Sequence, residues 1–236
     1  MVTDDEQERR LVTDRIACLD LAEPAAPRKL PLTVAATRHG LKRAQDVALA
    51  AVLLLLLAAP LAMIALAVRV EGPGPVLFAQ RRTGLHGREF TMLKFRTMHH
   101  RMADPAASAQ TRRGDARVTA VGWLLRRSSM DELPQLLNVL RGDMALVGPR
   151  PHATGMRVDG LPVAQAAPRY AARHLVRPGL TGLAQVRGQR GAAESRALLA
   201  ARLASDLEYI DTWTLRGDLL ILLRTAVSVA RMRDAW

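Results

Sequence analysis

The sequence predicts an α/β chain, mostly helical with one short β-hairpin, in which a membrane-inserted helix precedes a compact domain. Three observations predict it. Val47 to Val68 is a run of 22 residues without a charge. Two short extended pieces flank a glycine-bearing turn around Gly84. Apolar residues recur at helical spacing near the C-terminus, at Leu199, Leu203, Leu207 and Ile210.

Composition bounds the reading. The chain has 236 residues, of which 49% are apolar, 24% charged and 3% aromatic, with a net charge of +12. That length suits one large domain or two small ones, and the apolar fraction excludes bulk disorder. The single cysteine, Cys18, excludes an intramolecular disulfide framework and a cysteine-rich zinc ribbon. Positive charge points to anionic partners: nucleic acid, anionic lipid or phosphorylated ligands. It is unevenly spread, because residues 1–23 hold seven acids and three bases, which leaves 31 bases against 15 acids in the rest.

Residues 1–37 read as an acidic, proline-containing tail. An acidic start lacks the basic and apolar regions of a signal peptide. Residues 38–70 form the membrane-inserted segment. The uncharged run lies between Asp46 and Arg69 and is long enough to cross a bilayer core at 1.5 Å per residue. Bases stand on both sides, with Arg38, Lys42 and Arg43 before it and Arg69, Arg81 and Arg82 after, so both ends favour the cytoplasm. Pro60 cannot donate to the carbonyl of Leu56, and its ring crowds that carbonyl, so the helix should bend at Ala59-Pro60. A bent re-entrant helix satisfies both basic ends; a kinked spanning helix is the alternative, because membrane helices tolerate proline.

The compact domain covers 71–236. Glu71 to Pro75 is a turn cluster. Val76 to Gln80 and Glu89 to Phe95 read as hairpin strands around the turn Arg81 to Gly87. Arg101 to Arg117 is a polar, mobile stretch. Val118 to Arg127 and Asp131 to Leu140 read as helices, and 148–190 as glycine- and proline-rich loops. Ser195 to Ile210 is helical. A last helix, capped by Asp218, has a narrow polar stripe of Arg224, Ser228 and Arg231, as expected for a packed or membrane-interfacial helix.

Asp131-Glu132 is the sharpest candidate for chemistry. Ser129 with Glu132, and Ser128 with Asp131, have capping-box spacing, which puts both carboxylates at a helix N-terminus. An ionised carboxylate there can act as a nucleophile and form an acyl phosphate, while its neighbour handles protons or helps hold a metal. Ordinary helix capping explains the same pair. Lys94 and Arg96 alternate at the end of the hairpin and should share a face. Arg126 precedes the acidic pair, and Arg150 sits between Pro149 and Pro151, which fix its backbone for a phosphate. A solvated basic surface is the competing account of each. No Walker-type loop and no strand-linked G-x-G-x-x-G occurs. Scarce aromatics and the apolar run argue against nucleic acid.

At these residues the sequence resembles the bacterial sugar transferases, the monotopic polyprenyl-phosphate phosphoglycosyl transferases. The blocks are Lys42-Arg43 with Asp46, Gly72-Pro73-Gly74-Pro75, Lys94-Phe95-Arg96-Thr97, Arg126 with Asp131-Glu132-Leu133-Pro134, Asn138 to Met144, Gly148-Pro149-Arg150-Pro151, Arg177-Pro178-Gly179, and Asp206 to Ile210 with Trp213 and Asp218. Together they run from about Leu41 to Arg231. Gln45 stands where such proteins often have an aromatic, and Ala59 where a serine often precedes the bending proline.

The resemblance implies a fold of a membrane-embedded re-entrant helix, broken at Pro60, plus a compact cytoplasmic catalytic domain with interfacial amphipathic helices. It implies transfer of a sugar 1-phosphate from a UDP-sugar to polyprenyl (undecaprenyl) phosphate. Asp131 would be the nucleophile, with a covalent phosphosugar intermediate and release of UMP; Glu132 would be acid/base or phosphate-site partner. Mg²⁺ would sit beside Asp131, and Lys94, Arg126, Arg96 and Arg150 would contact phosphate. Localisation at the cytoplasmic face of the bacterial inner membrane, in contact with its lipids, follows. The absence of a multi-pass membrane domain implies a minimal form, and nothing indicates a homo-oligomer. A non-catalytic membrane protein holding anionic lipid or a glycan-assembly partner is the alternative, and a soluble nucleic-acid binder a third reading.

Overall fold

The computed structural model describes residues 32–102, 114–167, 169–189, 191 and 195–231. The acidic tail over 1–31 and most of the polar stretch after Arg101 lie outside the described residues. Residues 32–37, assigned above to the tail, belong instead to the first helix, α1 (Leu32–Leu56). A second helix, α2 (Ala58–Glu71), follows after a break at Leu57 and a turn of 64°. The break falls three residues before Pro60, because the amide that Pro60 lacks would have served the Leu56 carbonyl. Bonds on either side survive: Leu57 N–H donates to Leu53 at 2.9 Å and Leu61 N–H to Leu57 at 2.8 Å. Among the described residues no single helix is long and apolar enough to cross a membrane; α1 and α2 meet that test only together. Leu55, Leu56, Met63, Leu66 and Val70 on this pair are more than 60% exposed.

Both ends of the pair dock on the same domain. The Arg43 guanidinium donates to the carbonyls of Val139 and Leu140. Asp46, 3% exposed, accepts from the Leu146 amide at 3.1 Å, and Lys42 bridges Asp46 and Asp218. At the far end Val68 is buried against Phe95 and Leu125.

The hairpin forms as expected, with β1 (Leu77–Thr83) antiparallel to β2 (Glu89–Phe95) and Leu77 opposite Phe95. Strand β1 runs three residues further than the sequence suggested, and the reversal is one 3₁₀ turn with positive φ at His86 and Gly87. Alternation puts Phe90 and Met92 in the core. Helix α3 (Ala120–Ser128) begins at Thr119, whose hydroxyl accepts from Gly122 N–H. Helix α4 (Gln135–Arg141) follows a 3₁₀ turn and packs its Leu136 and Val139 on Met92, with Asn138 bonding the backbone of Thr91 and Leu93.

The segment 148–190, read above as loops, contains short elements. Strand β3 (Ala145–Val147) pairs in parallel with β6 (Gly179–Thr181), and β4 (Arg157–Val158) pairs with β5 (Leu161–Pro162). Single-turn helices α5 (Val163–Ala166) and α6 (Leu183–Val186) lie beside them. The strand pair continues into a backbone crossing that only glycine permits: a Cβ on Gly179 would stand 2.1 Å from the Gly148 nitrogen. Helix α7 (Arg196–Thr212) starts at its Ser195 cap and buries Leu199 and Leu203. Helix α8 (Leu215–Ala230) is capped by Thr214 rather than Asp218. Asp218 is 1% exposed and holds Tyr209, Trp213 and Lys42 instead. The fold is thus mostly helical with three two-stranded sheets among the described residues.

Candidate active site

The two acidic residues do not open a helix. Ser129 takes a left-handed conformation, φ 57°, and ends α3 with its amide on the carbonyls of Leu125 and Arg126. Asp131 and Glu132 then sit on a single 3₁₀ turn, Met130–Glu132. Pro134 has no amide to continue that turn as α-helix, so α4 begins only at Gln135. The capping boxes do not form: Ser128 Oγ bonds back to Leu124 and Leu125, and Ser129 makes no side-chain cap. Cations, not a helix end, therefore stabilise these carboxylates.

Their environments differ. Glu132 accepts from Lys94 Nζ at 2.7 Å and is gripped on both oxygens by the Arg150 guanidinium, with Nη1 to Oε2 at 2.9 Å and Nη2 to Oε1. Burial works to raise its pKa, but Arg150 and Lys94 overcome that and hold it well below the carboxylate range. Asp131 is 8% exposed, and Lys94 at 3.9 Å is the one cation within 4.0 Å among the described residues. Burial pushes Asp131 up to about 6, against the opposing pull of Lys94 and with help from the charge on Glu132. One carboxylate is fully partnered and held ionised by its cations; its neighbour is under-partnered, with its pKa raised to about 6. Two adjacent acids with separated pKa values are a mark of divided chemical roles.

Strand β2 and its continuation place the cations. Lys94 reaches the acids, and Thr97 Oγ1 accepts from Arg126 Nε at 2.8 Å, which sets Arg126 beside Asp131. Burial lowers the Arg126 pKa, with Asp131 opposing. Arg96 does not join them. It is 6% exposed and donates to the carbonyls of Val68, Gly72 and Pro73, each at 2.8 Å, tying the end of α2 to the hairpin. Its place just beyond the last strand residue frees it from the alternation that was to align it with Lys94. Pro60 lies in the bent pair, in the first turn of α2. Residues to which the sequence reading gave no role at this site stand behind Arg150: Arg82, His152, Tyr170, Arg173 and Asp206. A legible signal existed for Asp206, a carboxylate on the apolar stripe of Leu199, Leu203 and Ile210, where an acid must find a buried partner.

Among the described residues no cluster of three His, Cys, Asp or Glu side chains could enclose a metal. The site nevertheless fits Mg²⁺ in one way. Mg²⁺ is commonly held by one or two carboxylates together with substrate phosphates and water. Asp131, with no close hydrogen-bonded partner, supplies such a carboxylate, whereas Glu132 is fully engaged.

Comparison with known proteins shows the family. The sequence profile described as "Bacterial sugar transferase" matches residues 37–232. Over 195 residues the chain is 55% identical to a UDP-glucose:undecaprenyl-phosphate glucose-1-phosphate transferase of Caulobacter vibrioides, a match covering 83% of this chain and 72% of that protein. It is 49% identical to an undecaprenyl-phosphate glucose phosphotransferase of Komagataeibacter xylinus, over 83% of this chain but 37% of the relative. An exopolysaccharide production protein of Rhizobium leguminosarum is 46% identical, over 80% of this chain and 94% of that protein.

Proposed function

Because the chain belongs to the bacterial sugar transferase family, we propose that it is a phosphoglycosyl transferase that moves glucose 1-phosphate from UDP-glucose to undecaprenyl phosphate, starting an exopolysaccharide-type glycan. The observation that carries the mechanism is the asymmetry of the acidic pair. Asp131 is the nucleophile, because it is ionised at neutral pH yet not tied into a close ion pair. An Asp131 oxygen attacks the sugar-bearing phosphorus, forming an acyl–phosphate bond as the bond to the bridging oxygen breaks and UMP leaves. An oxygen of undecaprenyl phosphate then attacks the same phosphorus, frees the Asp131 carboxylate and yields the lipid diphosphate sugar. Glu132 is the phosphate-site partner rather than the proton donor: it fixes Lys94 and Arg150 where phosphate charge arrives. Arg126 completes that cationic wall, while Arg96 positions the strand that carries Lys94. Asp131 is the residue that would hold Mg²⁺, and the chemistry the ion would supply is neutralisation of phosphate charge.

The bent pair α1–α2 acts as a re-entrant membrane element with both ends on the cytoplasmic face. Support comes from docking rather than from bare charge. Lys42, Arg43 and Asp46 fasten the first arm to the domain, and Arg96 fastens the end of the second, which supports a reading with both ends on one face of a membrane. Exposed Trp123 and Leu124 on α3, and Leu219, Leu220 and Leu223 on α8, extend the apolar surface for interfacial contact. The non-catalytic alternative accounts for that surface but not for the asymmetric acids.

Incubation with UDP-glucose and Mg²⁺ without lipid acceptor is expected to leave a hexose-phosphate adduct on Asp131, found by mass spectrometry. Undiminished UMP release by Asp131→Asn would remove the nucleophile assignment.

A further inference from the structure

The loop that carries Arg150 has every carbonyl from Pro149 to His152 engaged. Gly179 N–H donates to Pro149 at 2.9 Å, Arg173 Nη2 to Arg150 at 2.6 Å, Arg82 Nη1 to Pro151 at 3.2 Å, and Thr83 N–H to His152 at 3.3 Å. Two of these four donors are guanidiniums from distant parts of the chain. Arg173 is the more deeply set, 3% exposed, and Asp206 Oδ2 holds its Nη2 at 2.7 Å. Its Nη1 spans His152 Nδ1 at 2.8 Å and the Tyr170 hydroxyl at 3.2 Å. A guanidinium can only donate, so His152 Nδ1 must be a bare acceptor: the ring is neutral and carries its proton on Nε2.

We propose that Asp206 and Arg173 are positioning residues for Arg150. They fix the backbone from which its guanidinium reaches both oxygens of Glu132, and through Glu132 they set Lys94 beside Asp131. The pairing with Glu132 does not secure this alone. The Arg150 side chain is 41% exposed, and on a loop without backbone anchors part of what its bidentate pair gains would be offset by the entropy cost of ordering that loop. Anchoring the four carbonyls removes the backbone share of that cost. His152 and Tyr170 complete the brace by occupying the second arm of Arg173. This role rests on the phosphoglycosyl transferase reading of the site.

A double-mutant cycle in lipid nanodiscs tests it. Asp206→Asn keeps shape and removes the anchoring charge. It is expected to lower kcat for UMP release by about tenfold to a hundredfold, the scale of a small misplacement. In an Arg150→Ala background the same change should add less than about twofold, because its route to the chemistry is already cut. Independent, multiplying losses would overturn the proposal, as would an Asp206→Asn enzyme with unaltered kcat. Tyr170→Phe leaves the buried ion pair intact and guards against a variant that fails to fold; it should lower kcat by about twofold to fivefold, and wild-type turnover with wild-type amide protection would count against the brace. Hydrogen exchange over 148–153 supplies a readout apart from activity: Asp206→Asn should raise it. If the unmutated protein releases no UMP from any UDP-sugar, the functional reading fails, while unchanged exchange in Asp206→Asn would reject the positioning role by itself.

Discussion

Replacing Asp131 with Asn is expected to abolish turnover and, at neutral pH, to make the protein more stable. Burial raises the folded-state pKa of Asp131 from 3.8 to about 6. That is roughly two units at 1.36 kcal/mol each, so keeping the charged form buried costs on the order of 3 kcal/mol. The folded state holds this proton more tightly than the unfolded state. The penalty is therefore fully present above about pH 6, shrinks as pH falls, and is gone below the unfolded pKa near 4. Asn has the same shape without the charge, so the variant should gain about 2–3 kcal/mol at pH 8, or about 5–10 °C in Tm for a domain of this size. The gain should fade towards pH 4. Thermal unfolding in nanodiscs at pH 8, 6.5 and 5 measures it, with UMP release as the parallel assay. A destabilised Asp131→Asn at pH 8, or a gain that does not change with pH, would refute the view that Asp131 is a buried and under-partnered charge.

The neighbouring acid should behave oppositely. Glu132→Gln removes the partner of Lys94 and Arg150 and should destabilise by about 3 kcal/mol at pH 7, measured in the same unfolding experiment. Formation of the phosphosugar adduct should lose rate as pH drops through about 6, because protonated Asp131 cannot attack; a rate constant from pH 7 to 5 would contradict this. Gly122→Ala would place a Cβ 2.1 Å from the Thr97 carbonyl oxygen, and should cost about 1–3 kcal/mol and reduce turnover by displacing the Arg126–Thr97 bond, read by unfolding and UMP release together. Pro60→Ala restores an amide to the Leu56 carbonyl and should open the 64° bend, read by spin-label distances across residues 45 and 66 in a Cys18→Ser background; an unchanged bend would assign the break to the docking of both arms.

Much of the molecule is legible in the sequence. The uncharged run, the helix break near Pro60, the hairpin and the helix starting at Ser195 each follow from local rules whose terms lie within a few residues. The bend itself moved to Leu57, since proline acts on the carbonyl four residues back. Local rules failed where a long-range partner outbid them. Ser129 and Glu132 have capping spacing, yet Pro134 breaks the turn and Lys94 and Arg150 claim the glutamate. Asp218 stands where a cap could form, yet Lys42, Tyr209 and Trp213 bury it.

The sequence by itself determined the family, because the ordered acidic, basic and Gly-Pro blocks that carry the resemblance lie along most of the chain. It also determined that an apolar segment must be broken near one proline, because a missing amide is a covalent fact. Only the tertiary structure decided how the surroundings of the two acids differ. Asp131 and Glu132 are adjacent in the chain, and their difference comes from burial and from cations contributed by β2 and the Arg150 loop. It alone separated Lys94 from Arg96, two residues apart, sending one to the carboxylates and the other to the end of α2. Charge is read from the sequence, but the energy of a charge depends on what surrounds it, and that is assembled only by folding.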